Sequence, residues 1–152
     1  METNSKNSTA AIINLSTLSQ YFIPFGNFIF PIIIWSAKKD SSEYVNRQGK
    51  ETINFQLSLF LYSLILALIA IPIFLITIFR NVDLNAFLSN HDDLIFENLN
   101  IADHAGLFTV GIMTIVVFGF MKVAEFFLII YASVKTSSGA DYKYPLTIPF
   151  IK

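Results

Sequence analysis

The chain has no cysteine among its 152 residues. Disulfide frameworks, thiolate nucleophiles and cysteine-based metal sites are therefore excluded. Charge is scarce as well: Asp, Glu, Lys and Arg make up 14% of the residues and nearly cancel, to a net −1. No basic stripe stands out, so nothing in the composition draws the chain to nucleic acid. Residues 7–37, 52–79 and 105–121 contain no Asp, Glu, Lys, Arg or His at all. The sequence also lacks a G-x-S-x-G, a P-loop and a G-x-G-x-x-G, and both histidines fall in one acidic segment. Neither catalytic residues nor a cofactor is expected, and the chain reads as a non-enzyme.

What is present is apolar. Hydrophobic residues reach 54%, including 16 Phe. A soluble domain of this size would be left with large exposed patches. A bilayer crossing needs ~20 largely apolar residues, and the uncharged runs meet that length. Backbone polar groups in hydrocarbon need internal partners, which makes these runs helices. The expected fold is an all-α integral membrane protein with a lipid bilayer as its first partner. It is a small helical bundle with an N-terminal broken or re-entrant hairpin and two long transmembrane helices. The N-terminus METNSKNST carries one lysine, and no small-residue cleavage site follows the first apolar run, so a cleaved signal is not expected.

The breaks divide this single membrane domain into five parts: a broken hairpin over 10–37, a transmembrane helix over 53–79, an acidic loop over 80–104, a second transmembrane helix over 105–134, and a tail over 135–152. Residues 53–79 would give ~40 Å of helix, longer than the ~30 Å hydrocarbon core, so that helix tilts or protrudes. Pro72 is its candidate kink. Lys38, Lys39, Arg47 and Lys50 precede it, and Lys135, Lys143 and Lys152 lie in the tail. The loop between the helices has Arg80 beside Asp83, Asp92, Asp93, Glu97 and Asp103. Lys and Arg favour the cytoplasmic side, so loop 38–51 and the C-terminus face inward and 80–104 faces outward. The expected location is a bacterial inner membrane.

Residues 10–37 leave two paths open. Ala11, Leu15, Leu18 and Phe22 share one helical face, while Asn14, Thr17 and Gln20 occupy another. Phe25 to Trp35 is nearly all apolar but spans only about half a bilayer at ~1.5 Å per residue. Pro24, Gly26 and Asn27 are turn formers between the halves. This favours a re-entrant hairpin, with a kinked full crossing as the alternative.

Lys122 and Glu125 are the charges set well inside an apolar run. Three residues apart on a helix, they pair on one face. A mutually neutralising pair is the simpler reading; a proton, ion or partner contact is the sharper one. Asn54 and Gln56 suit hydrogen bonds across a bundle, and Gly106, Gly111 and Gly119 suit close helix packing. His91, Asp92, Asp93, Asp103 and His104 match no metal-binding spacing, and a wet acidic loop explains them. Leu84, Phe87, Leu88, Leu94, Ile95, Phe96 and Leu99 suggest amphipathic pieces at the interface. Gly139 permits a helix-ending positive φ, Tyr142 and Tyr144 suit the head-group zone, and Pro145 favours an extended exit. The tail thus reads as a helix stop with an interface anchor, or more sharply as a docking strip.

Two stretches carry a family likeness: residues 14–40, NLSTLSQYFIPFGNFIFPIIIWSAKKD, continued by VNRQGKETINFQLS at 45–58; and GADYKYPLTIPFI at 139–151. Together they resemble the Tic-twenty-like small bacterial membrane proteins, relatives of a chloroplast inner-envelope import component. The resemblance points to Pro24, Gly26, Asn27, Pro31 and Trp35, to Gly49, Lys50, Glu51, Asn54, Phe55 and Gln56, and to Gly139, Tyr142, Tyr144 and Pro145. Asn14 stands where such proteins commonly show His. It implies an accessory subunit of a larger membrane assembly, in protein translocation, insertion or envelope assembly, with other membrane-protein subunits or copies of itself as partners. The alternative is a small oligomeric transporter or channel lined by the hairpin, Asn54, Gln56, Lys122 and Glu125.

Overall fold

A computed structural model describes residues 2–81 and 105–152. Every regular element among them is helical. Helix α1 spans Glu2–Ser16 and tightens into a 3-10 turn at Thr17–Tyr21; α2 spans Gly26–Lys38, α3 Glu43–Asn81 and α4 Ala105–Ser137. The acidic loop, its histidines and its apolar pieces lie outside the described residues. Two helices are long and apolar enough to cross a membrane, over Glu43–Ile76 and Thr109–Ser137. The described chain forms two compact units: Met1–Tyr62 with Met121–Lys152, and Ser63–Phe120.

In the first unit the chain reverses at residues 22–25. The Phe22 and Ile23 amides both donate to Ser19 O (3.0 and 2.9 Å), and the Gly26 amide donates to Ile23 O at 3.0 Å. Phe25 takes a left-handed backbone, φ 60°. Gly26 lets α2 start directly against the 3-10 turn, for a Cβ there would lie 2.8 Å from Ser19 C and O. Pro31 sits inside α2 and is buried. A three-residue 3-10 turn, Lys39–Ser41, then leads into α3. That helix begins well before the apolar run at Ile53, with Glu43 placed favourably at its positive end.

Cross-contacts give the directions. Asn7 lies against Gly139, Gln20 against Glu125 and Tyr21 against Phe126, so α1 runs antiparallel to the last part of α4. Trp35 lies against Gly49, Asn27 against Gln56 and Phe28 against Phe60, so α2 runs antiparallel to the first part of α3. The hairpin therefore begins and ends at the same end of the unit, where α3 starts and α4 stops. At its apolar centre Phe55, Leu59, Ile129, Ala132 and Tyr144 cluster, with the Phe55 and Tyr144 rings stacked at 4.0 Å.

The second unit is different in kind. Its described parts are the stretches of α3 and α4 from Ser63 to Asn81 and from Ala105 to Phe120. Pro72 sits within the uninterrupted α3. Large apolar side chains such as Leu68, Phe74, Ile115 and Phe120 are exposed.

Candidate functional site

The first unit holds a polar interior. Asn14, Thr17, Gln48, Thr52, Asn54, Gln56, Ser58, Glu125, Ser133 and Thr136 are all buried. Asn14 is the hub: its amide donates to Thr136 Oγ1 (3.3 Å) and Ala10 O (3.1 Å), and its Oδ1 accepts from Thr52 and Tyr144, both at 2.7 Å. One short side chain thereby ties α1, α3, α4 and the tail. Burial pushes the Tyr144 phenol well above its usual pKa, with Tyr142 and Glu125 adding to the shift, so it stays a donor to Asn14.

Glu125 forms a second cluster. Its side chain is fully buried, and each oxygen is engaged: Oε2 by Lys122 at 2.8 Å, Oε1 by the Gln20 amide at 2.8 Å. A buried carboxylate held by one cation and one amide is a compensated charge. Lys122 is about a third exposed on its side chain (36%), which keeps the cation partly solvated or interfacial. Asn27 donates to Gln56 Oε1 at 2.8 Å, while Gln56 Nε2 finds no acceptor among the described residues. Trp35 donates to Asn46 Oδ1 at 3.0 Å, with Lys39 over its ring at 5.6 Å.

The tail makes the third cluster. Gly139 ends α4 with φ 80°, its amide donating to Thr136 O at 3.0 Å; a non-glycine residue resists that conformation. Tyr44 OH caps the same helix end through Thr136 O (3.1 Å) and Ala140 O (3.0 Å). Asp141 then pairs with Arg47 at 2.6 Å on the surface. From there the chain descends along α3, turns at exposed Pro145 and at Leu146 (φ 56°), and climbs back. Its main chain meets Tyr62, Ser58, Asn54 and Lys50 in succession: Leu146 O accepts from Tyr62 OH (2.7 Å), Ile148 N donates to Ser58 Oγ (2.8 Å), Ile151 N donates to Asn54 Oδ1 (2.8 Å) and its O accepts from Asn54 Nδ2 (3.0 Å), and Lys152 O accepts from Lys50 (2.8 Å).

The sequence-predicted residues thus do not converge on one centre. Lys122 and Glu125 pair; Asn27 meets Gln56; Asn54 holds the tail; Tyr144 reaches the Asn14 hub. Trp35, Pro31, Gly26 and Gly139 shape the packing, and Pro24 and Pro145 sit exposed in the two turns. Sequence reasoning missed Thr52, Ser58, Tyr62 and Thr136 as partners. A readable signal existed for the tail ridge: Lys50, Asn54, Ser58 and Tyr62 recur every fourth residue, one line on a helix. No group of metal-ligating side chains occurs among the described residues.

Fold and interior together define a class: an all-α protein that buries hydrogen-bonded polar groups and presents apolar surface outward, with two helices long enough to cross a bilayer. The family follows from comparison. The chain belongs to the magnetosome magnetite crystal formation protein family (MamF/MmsF), whose model matches residues 5–151. That match corrects the Tic-twenty-like assignment drawn from the hairpin and tail motifs, and the translocation role it implied falls with it. The motifs were short apolar fragments with turn residues, a pattern that membrane hairpins share for physical reasons. Comparison with curated proteins and with solved structures finds no match.

Proposed function

We propose that this chain is a non-enzymatic, multi-pass protein of the magnetosome membrane that acts as an accessory subunit in magnetite crystal formation. The observation that carries this reading is the family match over residues 5–151. The fold supports it. Most buried polar side chains of the first unit are hydrogen-bonded, and exposed apolar ones cover the long helices, which suits lipid on the outside. The two ends of the N-terminal segment share one end of the unit, which supports a hairpin that re-enters rather than crosses. Lys38, Lys39, Lys135 and Lys143 lie at that end, which supports a cytoplasmic face there. A magnetosome membrane derives from the inner membrane, so the segment 82–104 then faces the lumen, where the mineral grows.

The second reading is a small oligomeric transporter, favoured by the fully buried Glu125. Both its oxygens are engaged within the chain, by Lys122 and Gln20, which weighs towards a structural pair. Deleting the gene in its native cell tests the main reading. Crystals of altered size or habit, with the tagged protein in purified magnetosome membranes, are the expected result. Unchanged crystals, or a protein confined to other membranes, overturn it.

A further inference from the structure

The ridge Lys50, Asn54, Ser58 and Tyr62 reads main chain only. Every bond it makes to residues 146–152 ends on a backbone N–H or C=O, and Asn54 grips Ile151 at both. The arm's large side chains lie partly outward, Leu146 84% and Phe150 48% exposed, while Thr147 and Ile151 are half-buried. By contrast, the descending arm is anchored by a side chain, Tyr144, which is 4% exposed, stacked on Phe55 and bonded to Asn14. Between the two arms lies a pivot, Pro145 followed by left-handed Leu146.

We infer that this ridge is a receptor site for an extended polypeptide backbone, which residues 146–152 occupy in cis and an extended segment of another protein occupies in trans. Asn54 is buried and makes both its side-chain bonds to Ile151, so an empty ridge leaves its amide without partners, at a cost that disfavours simple release, while Ser58 keeps its bond to Asn54 O. A second extended chain restores each bond, so exchange is favoured over opening. Main-chain recognition tolerates sequence, as in strand-addition sites where backbone bonds give the affinity. The bound arm is extended on either side of one bend at Pro149, where the Phe150 amide donates to Ile148 O at 3.0 Å, and the proline removes a donor where the ridge asks for none. The exchange concerns partner capture and stands whether or not the protein acts on a mineral.

The test uses the full chain in nanodiscs and a labelled synthetic peptide, YPLTIPFIK, matching residues 144–152. Ser58 Oγ lies 2.8 Å from Ile148 N, so the double variant Ser58→Cys/Ile148→Cys brings two thiols within disulfide reach in a chain that has no other cysteine. Saturable binding to the wild type is expected, and the oxidised double variant should bind at least about tenfold more weakly than the same variant reduced. A peptide of scrambled order that keeps its proline spacing should bind within about threefold of the original, whereas one N-methylated at the residues matching Ile148 and Ile151 should not bind. Absence of saturable binding to the wild type overturns the inference. So does binding that ignores the disulfide, or an N-methylated peptide that binds as well as the original.

Discussion

The two units of this chain share helices α3 and α4 yet obey opposite rules. From Met1 to Tyr62 and from Met121 to Lys152, a set of polar side chains is buried and mostly paired. From Ser63 to Phe120 the described surface is apolar and outward. The same helix, α3, carries Gln48, Thr52, Asn54, Gln56 and Ser58 in its first part and Leu64, Leu68, Ile71 and Phe74 in its second. In water such a division would be costly at both ends. In lipid it is consistent: polar groups without water need protein partners, and apolar ones need none. On the proposed reading the polar unit holds specificity, and the apolar one offers a surface suited to a bilayer.

Trp35 is the sole tryptophan, and it is bonded to Asn46 inside the polar unit, so its fluorescence during unfolding in mixed micelles reports that unit. The largest effect is expected for Lys122→Met, which leaves the buried Glu125 carboxylate without its cation and should cost about 3 kcal/mol. Adding Glu125→Met should return stability to within about 1 kcal/mol of the parent, because two uncharged side chains of similar volume replace a costly pair. If the double variant stays as unstable as the single, the pair is not structural and the transporter reading gains.

Gly26→Ala comes next. Its Cβ would press on Ser19 backbone, which cannot swing aside as a side chain can, and a loss of about 2–3 kcal/mol is expected. Asn14→Leu should cost about 2 kcal/mol, since Tyr144 loses its acceptor in a buried place while Thr52 keeps its bond to Gln48 O. The smallest effect belongs to the other unit. Gly119→Ala meets nothing within 4 Å and should shift stability by no more than about 1 kcal/mol, in the favourable direction. A large loss there would mean that the apolar unit is specified as tightly as the polar one.

How much of this was written in the sequence differs between the units. The two long apolar helices were legible in outline, since the candidate spans Glu43–Ile76 and Thr109–Ser137 overlap the uncharged runs 52–79 and 105–121, whereas the third run, 7–37, is broken by the turn at residues 22–25. Pairing of Lys122 with Glu125 was legible from their spacing. The hub at Asn14 was not, since its partners Thr52, Thr136 and Tyr144 are 38, 122 and 130 residues away, and no local pattern encodes such distances. The early start of α3 was hidden by the charged residues 43–51, which looked like a loop and become helix because the tail and hairpin pack around them. The family was misread for a related reason: turn residues between apolar runs say that a chain bends in a membrane, and little about what it does there.

The proposed topology has the N-terminal segment enter and leave the bilayer on one side. With no cysteine to remove, single cysteines at Thr3, Ser41, Ser138 and Asn90 can each be probed by an impermeant maleimide in sealed vesicles of known orientation. The account predicts that the first three label from the cytoplasmic face alone, and Asn90 from the opposite face alone. Labelling of Thr3 and Ser41 from opposite faces would contradict it, for residues 10–37 would then cross the bilayer.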